Sequence, residues 1–158
     1  MNALVVYDSL FGNTERIAQA IGDALAAQAD VEVRRAGDVK PEDLTGLDLL
    51  IVGTPTHGGR PSPATKTWLQ ALASGSLAGI KVAAFDTRIP SQGANWFVSL
   101  IVKLIGYAAQ PLAKSLAQKG GVPIVQPEGF NVTGKEGPLQ DGELERATAW
   151  AQQILAKA

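Results

Sequence analysis

The sequence has no cysteine and a single histidine, His57. Without thiols there can be no disulfide, zinc–thiolate site, iron–sulfur cluster or thiol nucleophile. Ser–His–Asp catalysis would have to run through His57 alone. An excess of charge is also missing: 14 Lys and Arg against 15 Asp and Glu leave a formal net charge of −1. That balance supplies no strong basic field for a phosphate backbone, so no nucleic acid is expected as a partner. Long apolar runs are lacking too. The longest, Trp96 to Ala109, is interrupted by Ser99 and Lys103. A bilayer crossing needs about 20 apolar residues, so no membrane span is expected. Met1 to Leu10 shows no basic region followed by a long apolar stretch, which argues against a signal peptide and for a cytoplasmic protein.

What is present suits one globular domain over residues 1–158, with 46% hydrophobic residues and roughly 70% of the unfolded surface available for burial at this size. Apolar periodicity alternates between two kinds. Ala3 to Tyr7 is a short, nearly continuous apolar run, as expected of a strand buried on both faces. From Asn13 to about Gln28, Ile17, Ile21 and Leu25 fall on one helical stripe. Val31 to Val33 reads as a second strand, Leu47 to Val52 as a third stopped by Gly53, and Ile80 to Phe85 as a fourth. Ser62-Pro63 reads as an N-cap followed by proline in the first turn of a helix. A helix ends at Gly120-Gly121, a fifth strand broken by Pro127 and Gly129 lies within Val122 to Val132, and Asp141 caps a last helix. Five β-α repeats predict an α/β fold of three layers, with a mostly parallel sheet between helices. Ligands of such sheets bind beyond the carboxyl ends of the strands, which directs attention to the loops there.

The loop after the first strand, Asp8-Ser9-Leu10-Phe11-Gly12-Asn13-Thr14, runs straight into a helix. Gly12 permits a tight turn and close approach. Ser9, Asn13 and Thr14 offer short polar side chains, and the amides and dipole of the helix start favour an anion. The loop itself has no lysine or arginine, so it reads as a neutral phosphate cradle. The alternative is that Ser9 and Asn13 only cap the helix. A Gly-Lys-Ser/Thr phosphate loop and a G-x-G-x-x-G fingerprint are both absent. Ser9 to Thr14 resembles the flavodoxin phosphate loop Ser/Thr-x-Thr-Gly-x-Thr, except that Phe11 replaces a hydroxyl residue. An aromatic residue there is similar to the tryptophan-repressor-binding-protein family of NAD(P)H:quinone oxidoreductases, as is Gly53-Thr54-Pro55-Thr56.

The flavodoxin resemblance covers essentially the whole chain. It implies a doubly wound five-stranded parallel sheet in the order 2-1-3-4-5 and a noncovalent FMN. It also implies a second flavin loop at Pro55, Thr56, His57, Gly58 and Gly59, with His57 where flavodoxins commonly carry a tryptophan against the flavin. Gly58-Gly59 suits a peptide that reorients beside the flavin N5, because glycine accepts φ of either sign. The segment Asp86-Thr87-Arg88 through Trp96 is the expected third flavin loop, with Trp96 as first choice for a second aromatic and Phe97 and Tyr107 next. The run Trp96 to Ile105 is apolar nearly all round if helical, so it is expected to form a lid or a contact between subunits of a homo-oligomer. A buried helix in a monomer is the other reading. Glu128 to Pro138 reads as structural.

The function implied is electron transfer by an FMN protein that cycles between oxidised, semiquinone and reduced states. Its partner would be a redox protein or a small electron acceptor. Electron-shuttling flavodoxins are typically strongly acidic and dock on basic partners, which a net charge of −1 does not favour. The alternatives are an NAD(P)H-dependent FMN oxidoreductase acting on quinones, and an interaction module that has lost FMN.

Overall fold

The computed structural model describes residues 1–91 and 95–158. Its centre is a parallel sheet in the order β2-β1-β3-β4-β5, built from β1 (Asn2–Tyr7), β2 (Asp30–Arg35), β3 (Leu49–Pro55), β4 (Lys81–Arg88) and β5 (Val122–Pro123). This is the expected doubly wound order. The fifth strand position, however, is shared by two segments. β5 pairs with the start of β4, and β6 (Glu128–Asn131) pairs with its end, which makes the sheet six-stranded. Pro127 interrupts the edge, as expected, because proline has no amide to donate. Gly129 does not interrupt it. Gly129 sits inside β6 against the Arg88 guanidinium, where a Cβ would lie 2.1 Å from the guanidinium carbon.

Side chains alternate across the pleat. Ala3, Val5 and Tyr7 of β1 face a core shared with α1 (Asn13–Leu25) and α5 (Glu143–Leu155). Leu4 and Val6 face a second core, shared with α2 (Pro63–Ala71) and α4 (Ala109–Gln118). Phe85, Phe130 and Trp150 meet edge-to-face in the first core, with ring centroids 5.9 to 6.2 Å apart. The second core is mainly aliphatic, with Trp68 as its aromatic member.

Several expected boundaries shift, and packing explains the shifts. β3 runs through Gly53 to Pro55, so Gly53 is not a stop. Its missing side chain makes room for Phe85, whose ring would lie 2.0 Å from a Cβ there. β4 likewise continues to Arg88, paired with β3 on one side and β6 on the other. Asp86, Thr87 and Arg88 are therefore strand residues and not part of a loop. The last helix is capped by Gly142 at φ 84°, not by Asp141. Ser62 does cap α2, its Oγ accepting from the Thr65 amide at 3.4 Å. Trp96–Ile105 is a helix, α3, inserted between β4 and α4.

Candidate functional site

The carboxyl ends of β1, β3, β4 and β6 converge on a cavity of about 470 Å³. Of the residues expected at a ligand, Ser9, Leu10, Phe11, Asn13, Thr14, Pro55, Thr56, His57, Thr87 and Arg88 line it. Gly12, Gly58, Gly59, Asp86 and Trp96 do not.

The β1–α1 loop is shaped from within. Ser9 Oγ accepts from the Gly12 amide at 3.0 Å, and Gly12 takes φ 87°, a left-handed conformation that glycine tolerates. Neither Ser9 nor Asn13 caps α1, because Gly12 is the N-cap and no side chain bonds there. Asn13 instead donates through Nδ2 to the Glu136 carbonyl at 3.1 Å. Among the described residues, no backbone carbonyl accepts from the amides of Leu10, Phe11, Asn13 or Thr14. A helix start leaves such donors unpaired, and they attract anions. Thr14 and Thr87 share a buried hydroxyl–hydroxyl bond of 2.7 Å, which joins the helix start to β4.

The second loop is a tight hairpin. His57 and Arg60 exchange both backbone bonds, 2.9 and 3.0 Å, across Gly58 at φ 54° and Gly59 at φ 77°. Positive φ at both central residues is the signature of a type I′ turn, which glycine fits without strain. The hairpin lifts the exposed His57 to the mouth of the cavity.

Asp86 points into the core instead, fully buried. It accepts from Arg88 Nε at 2.5 Å, from Arg88 Nη2 at 2.8 Å and from the Ala109 amide at 2.7 Å. Burial pushes its carboxyl up, while Arg88, the Ala109 amide and Thr56 pull it back. Its role is to tie β4 to the start of α4. Arg88 then lies over the Tyr107 ring, 3.9 Å from the centroid. Tyr107 is thus occupied by a cation. Trp96 packs against Phe97 (centroids 5.9 Å apart) and is 78% exposed.

Ile89, from the expected third loop, also lines the cavity, and so do two residues of the segment read as structural, Val132 and Lys135. Lys135 matters most, because it puts a cation beside a loop that has none of its own. It arrives because the bend after β6 packs on the start of α1, with Gly137 against the Asn13 side chain. The usable signal was position: a bend that follows the last strand lies at the same carboxyl edge as the other loops.

Solved structures share this architecture. Oxidised flavodoxin 2 from Bacillus cereus superposes with a TM-score of 0.76 at 22% identity, over 100% of both chains. A flavodoxin, WrbA-like protein from Agrobacterium tumefaciens gives 0.69 at 24%, over 98% of this chain and 95% of that one. Rubredoxin oxygen:oxidoreductase from Desulfovibrio gigas gives 0.75 at 20%, over 98% of this chain but 35% of that one. The model of the family described as flavodoxin matches residues 5–150, nearly the whole fold, and the chain therefore belongs to the flavodoxin family.

Proposed function

We propose that the cavity at the ends of β1, β3, β4 and β6 holds FMN, with its phosphate at the 9–14 loop and its ring beside the His57 hairpin. FMN and electron transfer come with the flavodoxin family. The observation that carries the residue-level placement is the set of amides around Leu10 to Thr14, left without backbone acceptors at the mouth of a 470 Å³ cavity. The residues fit the group. A dianion meets the α1 dipole, the amides and the Lys135 ammonium, all of which favour negative charge. FMN supplies the electron chemistry that no side chain here can perform.

The chain's own residues bind, orient and shield. Leu10 and Phe11 stand exposed on the rim and cover apolar ligand surface when the site fills. His57 covers the ring with less area than a tryptophan would. Gly58 and Gly59 leave their shared peptide free to reorient. Arg88 brings a charge already neutralised by Asp86, so it adds little field at the ring. Trp96, Phe97, Leu100, Ile101 and Leu104 are exposed along α3, which excludes a helix buried in a monomer. That face suits a redox partner or a second copy of the chain. Among the described residues, no helix is long and apolar enough to cross a membrane.

Purified protein titrated with FMN tests the reading. One FMN should bind per chain, with shifted flavin absorbance bands and quenched fluorescence, and no binding overturns it. Anaerobic NADPH should leave the bands unchanged in a carrier. Rapid bleaching without an added reductase would mark an NAD(P)H oxidoreductase.

A further inference from the structure

The near-neutral total charge conceals a division. Between residues 49 and 127, Asp86 is the only acidic residue, against Arg60, Lys66, Lys81, Arg88, Lys103, Lys114 and Lys119. Asp86 is buried and paired with Arg88. The excess of acidic residues therefore lies in the remainder of the chain. The cationic stretch builds α2 and α4, which cover the same side of the sheet. Along them runs a groove of about 720 Å³. It begins at His57, which also lines the cavity assigned to FMN, and passes Arg60, Lys66 and Lys119 over apolar surface from Pro63 and Leu69.

These cations lack anionic partners. Among the described residues, Arg60, Lys66 and Lys114 are exposed and take part in no ion pair. Lys119 donates to the Leu72 carbonyl and reaches no carboxylate. The carboxylate that does reach the head of α2, Asp8, accepts from Ser62 Oγ at 2.5 Å and faces Arg35 at 3.9 Å.

We propose that the α2–α4 groove is the docking surface for an acidic electron-transfer protein, which meets the flavin edge at His57. The proposal rests on the FMN placement for the point of electron exit. Unpaired cations beside an apolar floor attract a partner whose carboxylates surround an apolar contact. The cations are spread over the hairpin, α2 and the end of α4 instead of converging on one point. That distribution matches a protein surface better than a single phosphate group. The transfer makes and breaks no bond: the electron lost by the reduced flavin is the one gained by the partner's oxidised centre. The polarity is opposite to that expected of a strongly acidic flavodoxin on a basic partner.

The test titrates ¹⁵N-labelled, FMN-loaded protein with cytochrome b5, an acidic haem protein, and with cytochrome c, a basic one. Amide shifts from cytochrome b5 should fall on α2, α4 and the His57–Arg60 hairpin. Affinity should drop about tenfold when salt is raised from low to physiological strength, as expected for charge-driven encounter. The double variant Arg60→Glu, Lys66→Glu should weaken cytochrome b5 by about tenfold and strengthen cytochrome c. Flavin absorbance of the variant reports an intact site. Shifts confined to other surfaces, or unchanged affinity in the variant, overturn the proposal. So does NADP⁺ binding in the groove without cytochrome b5 binding, which would make it a nucleotide site. Loss of FMN binding by the wild type would defeat the FMN placement instead, because docking is read from amides of α2 and α4 with or without flavin.

Discussion

The two sides of the sheet solve the same packing problem with different materials. On the α1/α5 side, three aromatic rings interlock around Phe85, and exposed Asp23 and Glu145 alternate with exposed Arg16 and Arg146. On the α2/α4 side, aliphatic residues such as Leu112 and Leu116 fill the core, and the exposed charges of the helices are lysines. The first side holds β4 and β6 together through Phe85 and Phe130, and β6 leads into the bend that delivers Lys135. The second side is simpler inside and carries its information in surface charge. A domain with almost no net charge can thus present a mixed-charge face on one side and a cationic one on the other.

Removing the aromatic centre is the strongest way to break that contrast. Phe85→Ala should lower unfolding free energy by about 4 kcal/mol, because a fully buried ring leaves a cavity that Gly53 cannot fill. Leu112→Ala on the other side should cost less, about 3 kcal/mol. Urea denaturation of the two variants checks the order, and a larger loss for Leu112→Ala would show that the aliphatic core contributes more to stability at its centre than the aromatic one.

The seam between the sides comes next. Asp86→Asn keeps the shape but leaves Arg88 without its anion, and should cost about 3 kcal/mol. Thermal melts at matched pH measure it, and an unchanged midpoint would show that the pair does not tie β4 to α4.

Lys135→Ala sharpens the role given to the bend after β6. FMN affinity should fall about tenfold, more steeply at low salt, without loss of fold. Riboflavin, which has no phosphate, should bind the variant and the wild type equally. An equal loss for both ligands in a fluorescence titration would place Lys135 away from the phosphate.

The smallest effect belongs to the hairpin. Gly58→Ala meets no atom within 4 Å, so its cost is conformational alone, about 1 kcal/mol for a left-handed alanine. The same change should shift the flavin reduction potentials measured by anaerobic titration. Unchanged potentials would remove the Gly58-Gly59 peptide from the flavin environment.

Much of this was legible along the chain. Ala3 to Tyr7 and Leu47 to Val52 are apolar enough to be recognised as doubly covered strands, and Ser62-Pro63 states its helix start locally. Ser9 to Thr14 could be read as an anion loop because strand, glycine turn and helix follow one another without a gap. The extent of β3 and β4 was not legible, since Gly53 and Asp86 look like breakers until Phe85 and Arg88 are seen against them. Nor was the placement of Trp96: an aromatic at the head of an apolar helix looks like a ring for the ligand, and it stands in solvent beside Phe97.

The sequence by itself determined the class of fold, because periodicity and turn chemistry act over a few residues; the strand order came with the resemblance of its loops to those of flavodoxins. It also fixed the absence of thiol chemistry, which leaves electron transfer to a borrowed flavin. The tertiary structure alone decided that Lys135 joins the cavity, that Asp86 belongs to the core, and that Lys66 of α2 and Lys119, at the end of α4, share one groove. These depend on distances between segments 23 to 123 residues apart, set by how β6 and the helices pack on the sheet. No local pattern encodes such distances.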